Sequence, residues 1–151
     1  MTLSASLAEI TQALVDKLTA DMATLGLNAV FYGDQDKLST TPMACVEPDV
    51  KKVMEITPFR KTTLSISVHI IIYHSAVTSP QLNKKNADLM AEAVETFLNA
   101  DKNLKRTDGS DRVIHCYIEE VASGYVTKNK TPVRASRLTF SALTQDQLPQ
   151  T

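Results

Sequence analysis

The chain has 151 residues, with 16 Lys and Arg against 17 Asp and Glu and a net charge of -1. A domain of this size buries a core without disulfides or metal, and the charge balance excludes nucleic-acid capture by a bulk basic field and disorder from acidic excess. Cys45 and Cys116 lack CxxC spacing and read as reduced core thiols rather than a bridge or a metal site.

The N-terminal MTLSASLAEI has no basic stretch followed by an unbroken apolar run, and no apolar run approaches the roughly 18 residues that cross a bilayer. A single soluble domain over 1–151, made in a cytoplasm and with no membrane partner, is therefore expected. Ser6 and Glu9 have the form of a capping box, and Leu7, Ile10, Leu14, Leu18, Met22 and Leu25 follow at spacings of three and four. They predict an amphipathic first helix ended by Gly26, which has no Cβ to oppose the left-handed conformation. Ala29 to Tyr32 reads as a short strand closed by the turn run GDQD, and Pro42 to Glu47 as another ended by Pro48.

Asp49 to Lys61 reads as an irregular or hairpin arm, because Pro58 would remove a ladder donor. The arm sets Lys51, Lys52, Arg60 and Lys61 beside Met54, Ile56 and Phe59, a mixture typical of protein contacts. Thr62 to His74 is the clearest strand. Leu64, Ile66, Val68, Ile70 and Ile72 alternate with Thr63, Ser65, Ser67 and His69, the period of two of a strand with one buried face. From Ile71 onward the odd face turns apolar as well, with Tyr73 following.

Ser79 and Pro80 sit where a helix cap and first helical residue belong, and Ala87, Met90, Ala91, Val94, Phe97 and Leu98 form a second apolar stripe. Asp108 and Gly109 supply a turn, then Val113 to Val121 returns to period two with Ile114, Cys116 and Ile118 on one face and Val113, His115, Tyr117 and Val121 on the other. Gly124 to Pro132 reads as a polar loop containing Lys128 and Lys130, Arg134 to Leu143 as a final strand, and the tail after Thr144 as polar and mobile. This order predicts an α+β domain: a mostly antiparallel sheet of about four to five strands, two amphipathic helices on one face, and an extended hairpin or arm. The other face would show Ile71, Tyr73, Val113, His115 and Tyr117, too apolar to meet only water. Together with Met54, Ile56, Phe59 and Arg60 of the arm, these are the residues expected to meet another subunit or partner.

Catalytic chemistry finds little support. Gly26, Gly33, Gly109 and Gly124 are not spaced as a phosphate-binding loop. His69 and His115 share a predicted face, but His74 has the opposite parity, which disfavours a three-histidine metal site. His115 and Cys116 are adjacent in a strand and point apart, as do Glu119 and Glu120 unless a bulge intervenes. No enzyme activity, metal or cofactor is expected. Lys128 and Lys130 beside Tyr125 make the best local basic patch, and a solvated loop is the preferred reading of it.

In succession, SLAEITQALVDKL, PMACVEPD, TTLSISVHIIIY, NKKNADLMAEAVETFLNAD and TPVRASRLTF resemble the tail-terminator, or tail-completion, proteins of long-tailed bacteriophages. The likeness lies in order and length over most of the chain, and the family carries no catalytic motif to match. It implies a virion protein of the tail-neck region forming a homo-oligomeric ring, a hexamer. Its partners would be the tail tube protein and the head connector or stopper protein, with DNA passing through the lumen only as cargo. A head-completion or connector adaptor of the neck is the alternative, and a nucleic-acid-binding module a more distant one. A closed head-to-tail ring needs two different complementary surfaces on each subunit. Near-neutral charge also suits a channel that must not hold DNA. Lys128 and Lys130 would attract DNA inside the lumen, so their loop is assigned to a protein rim.

Overall fold

Ser6 starts the first helix by accepting the Glu9 amide on its hydroxyl at 3.0 Å, as its sequence position predicts. The Glu9 carboxylate does not return to the cap; it pairs with Arg112 at 3.0 Å and Arg106 at 3.5 Å. A computed structural model describes residues 6–35, 37, 40–56, 61–76, 80–128 and 130–147. Helix α1 spans Leu7–Ala20, breaks at Asp21, and resumes as the short α2, Met22–Leu25, which Gly26 ends at φ 80°. Helix α3 covers Pro80–Asn99, with Ala87, Ala91, Val94 and Leu98 buried. Its expected cap, Ser79, lies outside the described residues.

The strands are β1 (Ala29–Tyr32), β2 (Met43–Ile56), β3 (Lys61–Ala76), β4 (His115–Lys128) and β5 (Thr131–Gln147). They form one sheet in the order β1-β2-β3-β5-β4, antiparallel except for β1 beside β2. The fold is α+β. Helix α1 packs on β1 and β2, and α3 on β3, β4 and β5, all on one face. Beneath them Ile66, Val68, Ile70 and Ile72 of β3 join Ala44, Val46, Leu138 and Phe140 in the main core, each wholly out of solvent. Each of the Ile, Val, Leu and Phe side chains contributes about 1.5–3 kcal/mol of burial before entropy is counted, which makes β3 the spine of the domain.

The structure corrects the reading in three places. The strand expected to end at Pro48 continues to Ile56 as one leg of a hairpin with β3, the hairpin form of the arm expected from Asp49, with bulges between Pro48 and Val50 and between Val53 and Glu55. The bulges break the period of two that would have revealed a strand, and Pro48 is tolerated because β1 stops at Val46, leaving it on an edge. The remainder of the expected arm, 57–60, including Phe59 and Arg60, lies outside the described residues. The polar loop expected from Gly124 is strand: Gly124 pairs with Ala135, and β4 runs on to Lys128, opposite Thr131. Finally, β4 begins at His115, so Val113 precedes the strand and turns into the core, fully buried, while Ile114 is 37% exposed.

Candidate assembly surface

The face of the sheet away from the helices is uneven. Along β3 and β5 its middle is built of small hydroxyl side chains, Ser65, Ser67, Thr139 and Ser141, with His69 beside Asp49 at 3.5 Å. This stretch meets water without penalty. Toward the other end the face turns apolar, where Met43, Cys45, Tyr73, Val133 and Ala135 form a second, smaller buried cluster with Ile71 packed against it.

That apolar end has a cover within the chain. The Tyr73 hydroxyl donates to Asp34 at 2.6 Å, and Lys128 donates to the same carboxylate at 3.1 Å and to the Gln35 carbonyl at 3.0 Å. The Lys128 ammonium also sits 5.1 Å from the centre of the Tyr73 ring. Asp34 follows β1 and Lys128 ends β4, the two opposite edges of the sheet. The sheet therefore curls until both edges are tied together across Tyr73. Burial alone would raise the Asp34 carboxyl, but the Tyr73 hydroxyl and Lys128 hold it below its ordinary value. Burial, reinforced by the Asp34 charge, pushes the Tyr73 phenol well up. Between the tie and the curled end of β4 lies a cleft of 480 Å³ reached by Ile71, Gly124, Val126, Ala135 and Arg137.

The residues expected to form an interface are thus dispersed. Tyr73, 2% exposed, and Val113, fully buried, belong to the chain's own interior, and Ile71 is half-buried. His115 and Tyr117 stand outward on β4 with ring centres 5.5 Å apart, Tyr117 43% exposed. Met54, beside the second bulge of β2, is 62% exposed. Ile56 ends β2, and its side chain lies outside the described residues. Lys128, read as a solvated loop residue, is the inward-turned half of the tie, whereas Lys130 remains exposed.

Nothing in the described residues has the form of a catalytic or metal centre. No group of three His, Cys, Asp or Glu could hold a metal ion among them. His74 is buried beneath α3 with its Nε2 3.0 Å from the Ser136 hydroxyl, and burial, aided by the neighbouring Arg134, lowers its pKa to about 4. Both thiols are buried and pushed up to about 11 by that burial, so neither is a ready nucleophile. A bulge does intervene between Ile118 and Glu120, and both Glu119 and Glu120 are exposed. No helix among the described residues is long and apolar enough to cross a membrane.

No protein-family model matches the sequence, and no curated protein matches it. Among solved structures, a chain of the virion of a native gene transfer agent particle is similar over 95% of this chain and 100% of its own, with a TM-score of 0.61 and 20% identity. At that identity the likeness shows a shared fold.

Proposed function

We propose that this chain is a non-enzymatic structural protein of a virion, one that closes into a ring at the end of a tail tube and joins it to the head. The observation that carries the reading is the end-to-end match in fold with a chain of a gene transfer agent virion, 95% of one and 100% of the other. It agrees with the order of elements that resembles tail-terminator proteins. The surface adds support: two unlike, partly apolar edges suit a closed head-to-tail assembly, and the hydroxyl-rich middle of the open face offers no basic track to arrest passing DNA. The proposed ring is a hexamer, its partners the tube protein on one side and the connector on the other.

Light scattering of the purified chain, alone and mixed with tail tubes, tests this directly. Particles at a multiple of 16.6 kDa and annular shapes in electron micrographs are expected. A monomer under both conditions overturns the ring. Retention on connector rings with no affinity for tube ends would reassign the chain to a neck adaptor.

A further inference from the structure

Among the described residues two lengths of strand edge have no partner, and they lie at diagonally opposite corners of the sheet. On β2, strand β1 covers Met43 to Val46, and the Gly33 amide donating to the Val46 carbonyl at 2.7 Å finishes that cover. Beyond it, Asp49 to Ile56 pairs with β3 alone. On β4 the first outward amides are taken: Cys116 donates to the Lys102 carbonyl at 2.8 Å and Ile118 to the Asn99 side chain at 2.8 Å. From Glu119 to Thr127 no backbone hydrogen bond reaches β4 from any element but β5 among the described residues.

Bare edges are templates for pairing, and proteins blunt those they do not use. These two keep large exposed apolar side chains, Val53 and Met54 at 60% and 62% on β2, Val121 and Tyr125 at 41% and 54% on β4. Their central charges are opposite: Lys51 and Lys52, flanked in sequence by Asp49 and Glu55, stand exposed on the first, and Glu119 and Glu120 on the second. Like charges facing across strands are unfavourable, so each edge resists its own copy and accepts the other. Within the sheet β2 and β4 run in opposite directions, so a second copy set alongside meets the first in antiparallel fashion.

We infer that Asp49–Val53 of one copy adds to Glu119–Ser123 of the next, with Lys52 opposite Glu120, so that a short five-residue ladder joins the sheet of one subunit to that of the next. Side-chain direction agrees: Lys52 pairs with Ser65 and Glu120 with Thr139, both on the face away from the helices. The covered half-edges impose a stagger whose size can be read from the register. Lys52 is level with Ser65, and Glu120, through Thr139, is level with His69, four residues farther along β3. Four residues are about 13 Å along a strand, and the four strands of one repeat span about 19 Å across it. Subunits at equal height then need strands tilted by about 35°, the inclination at which closed β-barrels form. This joint rests on the ring proposed above and names the surfaces that make it.

The test is charge exchange in the full chain, with Lys52→Glu, Glu120→Lys and the double variant followed by light scattering. Both side chains are exposed, so circular dichroism should show all three variants folded. Each single change is expected to raise the concentration needed for assembly by at least about tenfold, and the double change to restore it, because like charges forced together at a contact repel and the swap re-pairs them. Cysteines introduced at Lys51 and Val121, on the same side of the joint, should cross-link neighbouring copies; the native thiols are buried. Wild-type rings accompanied by unaffected single variants and no cross-link would overturn the joint and leave the ring standing. A wild-type chain that stays monomeric, alone and with tube ends, would overturn the ring itself and the joint with it.

Discussion

The two faces of β3 are made by the same strand and live in different solvents. Ile66, Val68, Ile70 and Ile72 point into a core with no measurable exposure, whereas Ser65, Ser67 and His69, one residue out of step, face water for most of the strand. Where the second face turns apolar, at Ile71 and Tyr73, the chain supplies its own cover by tying Asp34 to Lys128 across the ring. The contrast teaches that an apolar residue on a second face does not by itself call for a partner. Among the described residues, the surfaces that lack a counterpart are the uncovered stretches of β2 and β4 at the sheet edges.

The contrast can be broken most severely on the core side. Phe140→Ala, in a site with no exposure, is expected to cost about 3–5 kcal/mol, read as a lower urea midpoint, because both transfer energy and a cavity are lost. Acid should act on the same side. His74 has a folded pKa lowered to about 4 against an ordinary 6.5, so between those values the unfolded chain binds a proton that the folded chain refuses. Stability is therefore full above pH 6.5 and falls as the pH drops toward 4, by up to about 3 kcal/mol, and His74→Gln should flatten that slope. The lowered Asp34 works in the same sense at still lower pH.

On the open face the effects shrink. Tyr73→Phe removes the hydroxyl that donates to Asp34 and should cost about 1–2 kcal/mol, with Asp34→Asn acting through the same contact and a double-mutant cycle showing the two to be coupled. Ser67→Ala, on the hydroxyl-rich stretch, should change stability by no more than about 0.5 kcal/mol. A Ser67 variant as damaging as Tyr73→Phe would show that the two ends of this face are not different after all.

Much of this was legible in the chain. Strict alternation from Thr63 to Ile70 and the three-and-four spacing from Leu7 to Leu25 mark elements whose pattern is imposed by a single buried face. Asp49 to Ile56 reads no more sharply than an irregular or hairpin arm, because two bulges reset which side chains share a face, and periodicity has no means of announcing an inserted residue. The error at Tyr73 has another source. Its cover comes from Asp34, 39 residues away, and from Lys128, a further 94 from Asp34, and nothing local to a tyrosine in a strand says which distant carboxylate will meet it. Of the candidate interface, Tyr117 and Met54 stand exposed, while the bare half-edges depend on where β1 stops and where Asn99 and Lys102 reach. Those are facts of tertiary arrangement.

The tie across Tyr73 also gives the molecule a spectroscopic signature. The chain has no tryptophan and four tyrosines, three of which are more than 40% exposed. Tyr73 alone is buried and bonded through its phenol to a carboxylate, so its ring should contribute a distinct share of the near-ultraviolet dichroism, beside Tyr125, which Arg134 holds. Any event that unbuckles the two sheet edges, whether acid, mutation or a neighbour prising at Lys128, should be visible as loss of that share while the helical signal stands.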